Sequence, residues 1–184
     1  RDPEFYREVF QLREKYLFKL GWEIKGDFAV PEYIDEIKAL LANVDSFSIN
    51  QPETYRLFGV DSDEKALDAL KKLRLPLVIY RVGKKGIYII KDGESFFAPA
   101  FTKYPVKDVT GCGNSSTSAA FYAWCEGKRI EEIAAYANVT AAHNLRYYGA
   151  MELTEEDKTA AREEVRQMTE ELLSTKQSLT NGAG

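Results

Sequence analysis

The sequence predicts an α/β fold, a layered sheet with helices packed on it. Three observations carry the prediction. Extended apolar runs and helix-period segments alternate from Phe18 to Val82. A hairpin signal, Asp92-Gly93, then separates two strand-like runs in GIYIIKDGESFFAPA. Finally, a glycine-rich turn, DVTGCGN at 108–114, opens into a helix of small residues.

Pro3 suits a first helical turn, and the amphipathic stretch that it starts carries Phe5, Val9, Leu12 and Tyr16 on one side. FKLGWEI, residues 18–24, reads as a strand, and a helix follows from Pro31 to Ala42. The alternating run VDSFSIN, 44–50, is a second strand, and Asn-Gln-Pro-Glu turns it into a short helix closed at Gly59. Asp61 with Glu64 is a capping pattern for a helix to about Leu73. LPLVIYRV, 75–82, is continuous and β-rich, the pattern of a strand buried on both faces. Beyond the hairpin, a loop with Pro105 leads to the glycine turn and a helix stopping near Gly127. A helix from Ile130 to Tyr147 has Gly149 as its stop, and Thr154 with Asp157 caps another through Ser174. Residues 175–184 read as a polar, frayed tail. Three parallel strands and one hairpin make a thin sheet beneath so many helices. That mismatch predicts that the amino-terminal part of a larger domain lies outside the sequence.

A length of 184 residues, 45% hydrophobic and 29% charged, fits one ordinary globular core. The net charge of -4, with lysines and arginines scattered among acids, argues against nucleic-acid or anionic-membrane surfaces, which reward clustered cations. Cys112 and Cys125 make no disulfide framework, and His143 alone cannot complete a zinc site with them. No run approaches the roughly 18 apolar residues of a membrane span, and the opening RDPEFYREVFQLREKY carries no signal-peptide pattern. The expected location is the cytoplasm.

The glycine turn holds the strongest chemical signal. Gly111 and Gly113 free the backbone to approach an anion, and the following helix presents unpaired N–H groups and about half a positive charge. Asp108 is placed either to fix the loop or to bind a cation. The same turn also serves as a tight entry into a buried helix, whereas a dinucleotide fingerprint fits poorly because Ser116 stands at its third glycine. Asn50 and Glu53, between a strand and a helix, suit either capping or the ordering of water and magnesium beside phosphates. Gly83 and Gly86 flank Lys84-Lys85 in a turn that suits either a plain connection or a ligand site, since it lies at the carboxyl end of a strand, where α/β folds bind ligands. His143 reads as a packed or surface helix residue, and Phe121, Tyr122 and Trp124 as core.

Taken in order, these pieces resemble the carboxyl-terminal half of a PfkB-type carbohydrate kinase, of the ribokinase-like superfamily. SINQPE resembles the family's Asn-x-x-Glu motif at Asn50 and Glu53, and VGKKG its strand-end turn beside the nucleotide, with Arg81 where threonine is common. DVTGCGN resembles the signature Asp-x-x-Gly-x-Gly-Asp, and ANVTAA the helix bordering adenine, with Asn138 at its polar position. The resemblance implies a three-layer fold with a mostly parallel sheet. It makes residues 1–174 the carboxyl-terminal part of the kinase domain, without the amino-terminal half and its β-lid.

What the resemblance implies for chemistry is ATP-dependent phosphoryl transfer to a sugar hydroxyl. Gly111, Cys112 and Gly113 would form the anion hole, while Asn50, Gly83, Gly86, Asp108 and Asn138 would bind the nucleotide. Glu53 with Asn50 would hold Mg2+ through water, and a monovalent cation would sit near Asp108. Partners would be a nucleotide and a sugar, and a homodimer is allowed. One departure bears on activity. The signature's final aspartate, the catalytic base, is Asn114 here, and an amide accepts no proton at neutral pH. The implied alternative is a non-catalytic member that binds nucleotide or sugar phosphate as a sensor or scaffold.

Overall fold

The alternation resolves into a five-stranded sheet with helices on both faces in the structure, a computed structural model that describes residues 3–149 and 153–181. The strands lie in chain order: β1 (Gly21–Glu23), β2 (Ser46–Asn50), β3 (Leu77–Arg81), β4 (Gly86–Lys91) and β5 (Glu94–Pro99). The pairs β1–β2 and β2–β3 are parallel, with Glu23 beside Ser48 and Asn50 beside Arg81. The pairs β3–β4 and β4–β5 are antiparallel, so the sheet is mixed rather than mostly parallel. The reason is local. A single 3-10 turn at Gly83–Lys85 reverses the chain straight after β3, and Asp92-Gly93, both at positive φ, reverses it again after β4.

Side-chain alternation along β3 builds two cores. Val78 and Tyr80 join Phe47 and Ile49 of β2 against α2 (Ile34–Leu41), α3 (Gln51–Phe58) and α4 (Asp63–Lys71). Leu77 and Ile79 join Ile87, Ile89 and Ala98 against α5 (Cys112–Cys125), α6 (Ile130–Asn144) and α7 (Glu155–Asn181). Each fully buried large aliphatic side chain contributes about 1.5–3 kcal/mol, so β3, buried on both faces as its sequence pattern predicts, is the spine of the fold. On β2 the small Ser48 hydroxyl meets Thr117 Oγ1 at 2.7 Å, which seats the first turns of α5 close over the strand ends.

Several elements differ from their sequence expectation. The helix that opens the described chain, α1 (Pro3–Tyr16), forms, but Phe5, Leu12 and Tyr16 on its apolar side are exposed. Its anchor is polar: Arg13 grips Asp45 through Nη2 at 2.8 Å and Nε at 3.1 Å. β1 is shorter than the 18–24 run, because its regular pairing with β2 covers only Gly21–Glu23. The 31–42 helix divides into a 3-10 turn at Pro31–Tyr33 and α2. Ser62, not Asp61, caps α4 by accepting from the Lys65 N–H, while Asp61 pairs with the Lys65 side chain. α6 ends at Asn144, short of Tyr147, and α7 passes Ser174 to reach Asn181. Residues 182–184 of the expected tail lie outside the described residues. Tyr122, expected in the core, is exposed on α5, whereas Phe121 and Trp124 pack against the core. Thr154 and Asp157 do form the expected reciprocal cap of α7.

Candidate functional site

Three parallel strands end on one edge of the sheet, and α5 starts above that edge. Between them lies a cleft of about 640 Å3. The strand ends contribute Asn50, Arg81 and the turn Gly83-Lys84-Lys85-Gly86, and the mouth of α5 contributes Cys112, Gly113 and Ser116. Asn138, Ala141 and Leu145 of α6 and its end, with Phe101, Val106 and Val109 of the long loop, close the apolar side. Six residues singled out from sequence, Asn50, Gly83, Gly86, Cys112, Gly113 and Asn138, therefore share one cavity. Gly111, Asn114, Glu53 and Asp108 flank it without lining it.

Each flanking residue has a definite partner or position. Asn50 Oδ1 accepts from the Glu53 N–H at 2.9 Å and Glu53 Oε2 accepts from the Asn50 N–H at 3.0 Å, a closed capping box. Asp108 accepts at Oδ1 from the Thr110 N–H and hydroxyl and at Oδ2 from the Gly149 N–H, fixing the loop to the chain beyond α6. Those bonds, the Thr110 and Gly149 N–H groups first, hold its carboxyl below the ordinary value. Gly111 is the N-cap of α5, and Asn114, on the first turn, is exposed. The Cys112 N–H is engaged by the Val109 carbonyl, so the groups of α5 left for an anion are those of Gly113 and Asn114.

One glycine is explained by what approaches it, and a second marks what lies beside it. At Gly86 a Cβ would strike the Ala98 carbonyl oxygen of the paired β5, so its need for glycine comes from the hairpin. At Gly113 a Cβ would overlap Arg81 Nη1. Arg81 thus lies against the first turn of α5, with Nη2 held by Glu23 Oε1 at 2.7 Å. Burial pushes the neighbouring Cys112 thiol up, with Arg81 pulling the other way, so this sulfur is a protonated wall of the cleft. Asn138 donates to the Ala98 and Pro99 carbonyls, pinning α6 to the end of β5.

Sequence reasoning missed two networks because their members are far apart in the chain. Asp63 accepts from Tyr80 (2.6 Å), Gln51 (2.6 Å), Tyr55 (3.0 Å) and Lys85 Nζ (3.1 Å), which ties the Gly83–Gly86 turn to α4. Glu164 of α7 binds His143, Lys103 and Tyr104, joining α6 to the loop that feeds the glycine turn. A lone acid at a helix start and another in a charged helix give no signal of either role.

The charged residues lining the cleft are Arg81, Lys84 and Lys85, and no carboxylate is among its described lining. Glu53 is committed to capping, Asp108 to its loop and Glu23 to Arg81. This donor set suits an anion and does not fit a directly coordinated divalent cation, which takes oxygen ligands. Among the described residues, no helix is long and apolar enough to cross a membrane, and no group of three His, Cys, Asp or Glu side chains is placed to hold a metal.

Comparison with known proteins gives a consistent picture. Residues 9–157 match the model of the pfkB family carbohydrate kinases. An ATP-dependent 6-phosphofructokinase from Thermoanaerobacterium thermosaccharolyticum is 30% identical over 115 residues, covering 62% of this chain and 35% of that protein. A probable sugar kinase protein from Rhizobium etli CFN 42 superposes with a TM-score of 0.76 at 20% identity, over 87% of this chain and 49% of the other. Arabidopsis thaliana ribokinase, solved with ribose and ATP, gives 0.68 at 23% identity over 90% and 52%. The chain spans about a third of that curated relative and about half of those solved structures.

Proposed function

The chain belongs to the pfkB family of carbohydrate kinases, and from that premise we propose that it carries the nucleotide half of an ATP-dependent transfer to a sugar or sugar-like hydroxyl. The observation that supports this most is the convergence of Asn50, Gly83, Gly86, Gly113 and Asn138 on one cleft at the carboxyl ends of parallel strands. The apolar side made by Phe101, Val106, Ala141 and Leu145 suits a base and ribose. The polyphosphate then runs along the Gly83–Gly86 turn toward the first turn of α5. There the N–H groups of Gly113 and Asn114 and the helix dipole stabilise charge on the transferring group.

The acceptor hydroxyl would approach beside Asn114. This side chain orients a hydroxyl by hydrogen bonding but takes no proton from it. Loss of a general base costs about 10²–10⁴-fold, and phosphoryl transfer leans chiefly on positioning and electrostatics, so slow turnover survives that loss. Magnesium, when bound with the nucleotide, would add charge neutralisation, meeting Glu53 only through water. Asn114 also favours a second reading, a nucleotide or sugar-phosphate sensor without turnover. Sugar-phosphate formation from ATP across a panel of free and phosphorylated sugars decides between them. Product above a no-protein control supports the kinase, and saturable ATP binding without product supports the sensor.

A further inference from the structure

We infer that Arg81 is the anion-binding side chain of the cleft, and that its charge lets a polyphosphate bind without a divalent cation. The inference rests on the kinase reading for the identity of the nucleotide, but the role of Arg81 follows from its own surroundings. Arg81 ends β3 beside Asn50 of β2, and its side chain is largely buried. From there it reaches the first turn of α5, where its Nη1 takes the space of a Cβ on Gly113. Glu23 Oε1 lies 3.8 Å from the same position, so ion pair and helix start meet there, beside the dipole and open N–H groups of α5 that attract negative charge.

The guanidinium is only partly satisfied within the chain. Glu23 holds Nη2 at 2.7 Å, which fixes the plane of the fork. Nε is buried and forms no hydrogen bond, an uncommon state for a charged donor. Glu23 neutralises part of the charge from the β1 side. The cleft side holds Lys84 and Lys85 besides Arg81, with Lys85 tied to Asp63 and no carboxylate on the wall. In a chain of net charge -4 this is a local inversion of sign. A magnesium ion is recruited to phosphates by one or two carboxylates, and those nearest this cleft are engaged elsewhere. A planar guanidinium matches phosphate oxygens in pairs and is always charged, so it supplies the missing counter-charge.

Calorimetric titration tests this with two probes, ATP and sodium tripolyphosphate, each in EDTA and in excess Mg2+. Wild-type chain is expected to bind both probes in EDTA with affinity nearly equal to that in Mg2+. Arg81→Met should lose about tenfold to a hundredfold in EDTA, the worth of a charged hydrogen bond, and should regain part of it with Mg2+. Arg81→Lys, which keeps the charge but not the fork, should fall between. Because Arg81→Met leaves Glu23 without its partner, Glu23→Gln/Arg81→Met supplies a variant with neither charge, and the same loss is expected. Binding of either probe only when Mg2+ is present overturns the inference. So does unchanged affinity in both Met variants, and if ATP still binds them the kinase reading survives. Tripolyphosphate binding that depends on Arg81, without any ATP binding, upholds the inference and sinks the nucleotide reading.

Discussion

His143 Nε2 lies 2.7 Å from Glu164 Oε2, and both side chains are almost wholly buried. Arg146, which can only donate, faces the other ring nitrogen at 3.3 Å, so His143 accepts at Nδ1 and donates from Nε2 to the carboxylate. Lys103 and Tyr104 complete the shell of Glu164, and the Lys107 N–H reaches the Leu145 carbonyl at the end of α6. The loop entering the glycine turn is therefore held from α7 through a buried charge. Burial works to raise the Glu164 pKa, yet the bonds from Lys103, Tyr104 and His143 hold it below the ordinary value. A depressed carboxyl stabilises the fold above its unfolded pKa and loses that contribution as pH falls through the folded one. Glu164→Ala should cost about 3 kcal/mol in urea unfolding at neutral pH, with a smaller penalty in acid.

Asp63 should show the same sign over a named window. Burial raises its pKa, but hydrogen bonds from Tyr80, Gln51, Lys85 and Tyr55 outweigh it and set the value at about 2, against 3.8 for a free side chain. Its contribution, about 2 kcal/mol by linkage, is present above pH 4 and disappears between roughly pH 4 and 2. Thermal melts of wild type and Asp63→Asn should differ at pH 7 and converge toward pH 2. A constant difference across that range would contradict the assignment.

The features legible in the sequence were those written in adjacent residues. The Asp92-Gly93 hairpin, the doubly buried β3 and the Thr154–Asp157 cap all depend on neighbours within a few positions, and each stands as expected. The reading of three parallel strands and one hairpin matches the sheet, whereas the pairing of β4 antiparallel to β3 was not foreseen, because a three-residue turn after β3 does in one step what a crossover helix does elsewhere. α1 shows the limit of periodicity: an amphipathic pattern says which side is apolar, not whether anything in the chain covers it. In the site, glycines marked the backbone turns correctly. Pairings such as Arg81 with Glu23 or Lys85 with Asp63 are set by strand order and register, which no local pattern encodes.

Asn114→Asp is nearly isosteric and places a proton acceptor on the first turn of α5. Turnover should rise by about 10²–10⁴-fold if the rest of the geometry is that of a kinase. The new charge beside the phosphates should weaken ATP affinity at the same time. Steady-state rates over the sugar panel, together with ATP affinity, measure both effects. No gain in turnover with ATP binding intact would favour the sensor.

Nucleotide occupancy of the cleft between the Gly83–Gly86 turn and α6 is checked by ATP titration of wild type against Ala141→Trp. Ala141, half-buried on α6, lines the apolar side of the cleft, so an indole there would fill cleft volume. Saturable ATP binding to the wild type is expected, with its loss in a variant that melts at a similar temperature. Equal ATP affinity in the two proteins, or no binding to the wild type, would contradict it.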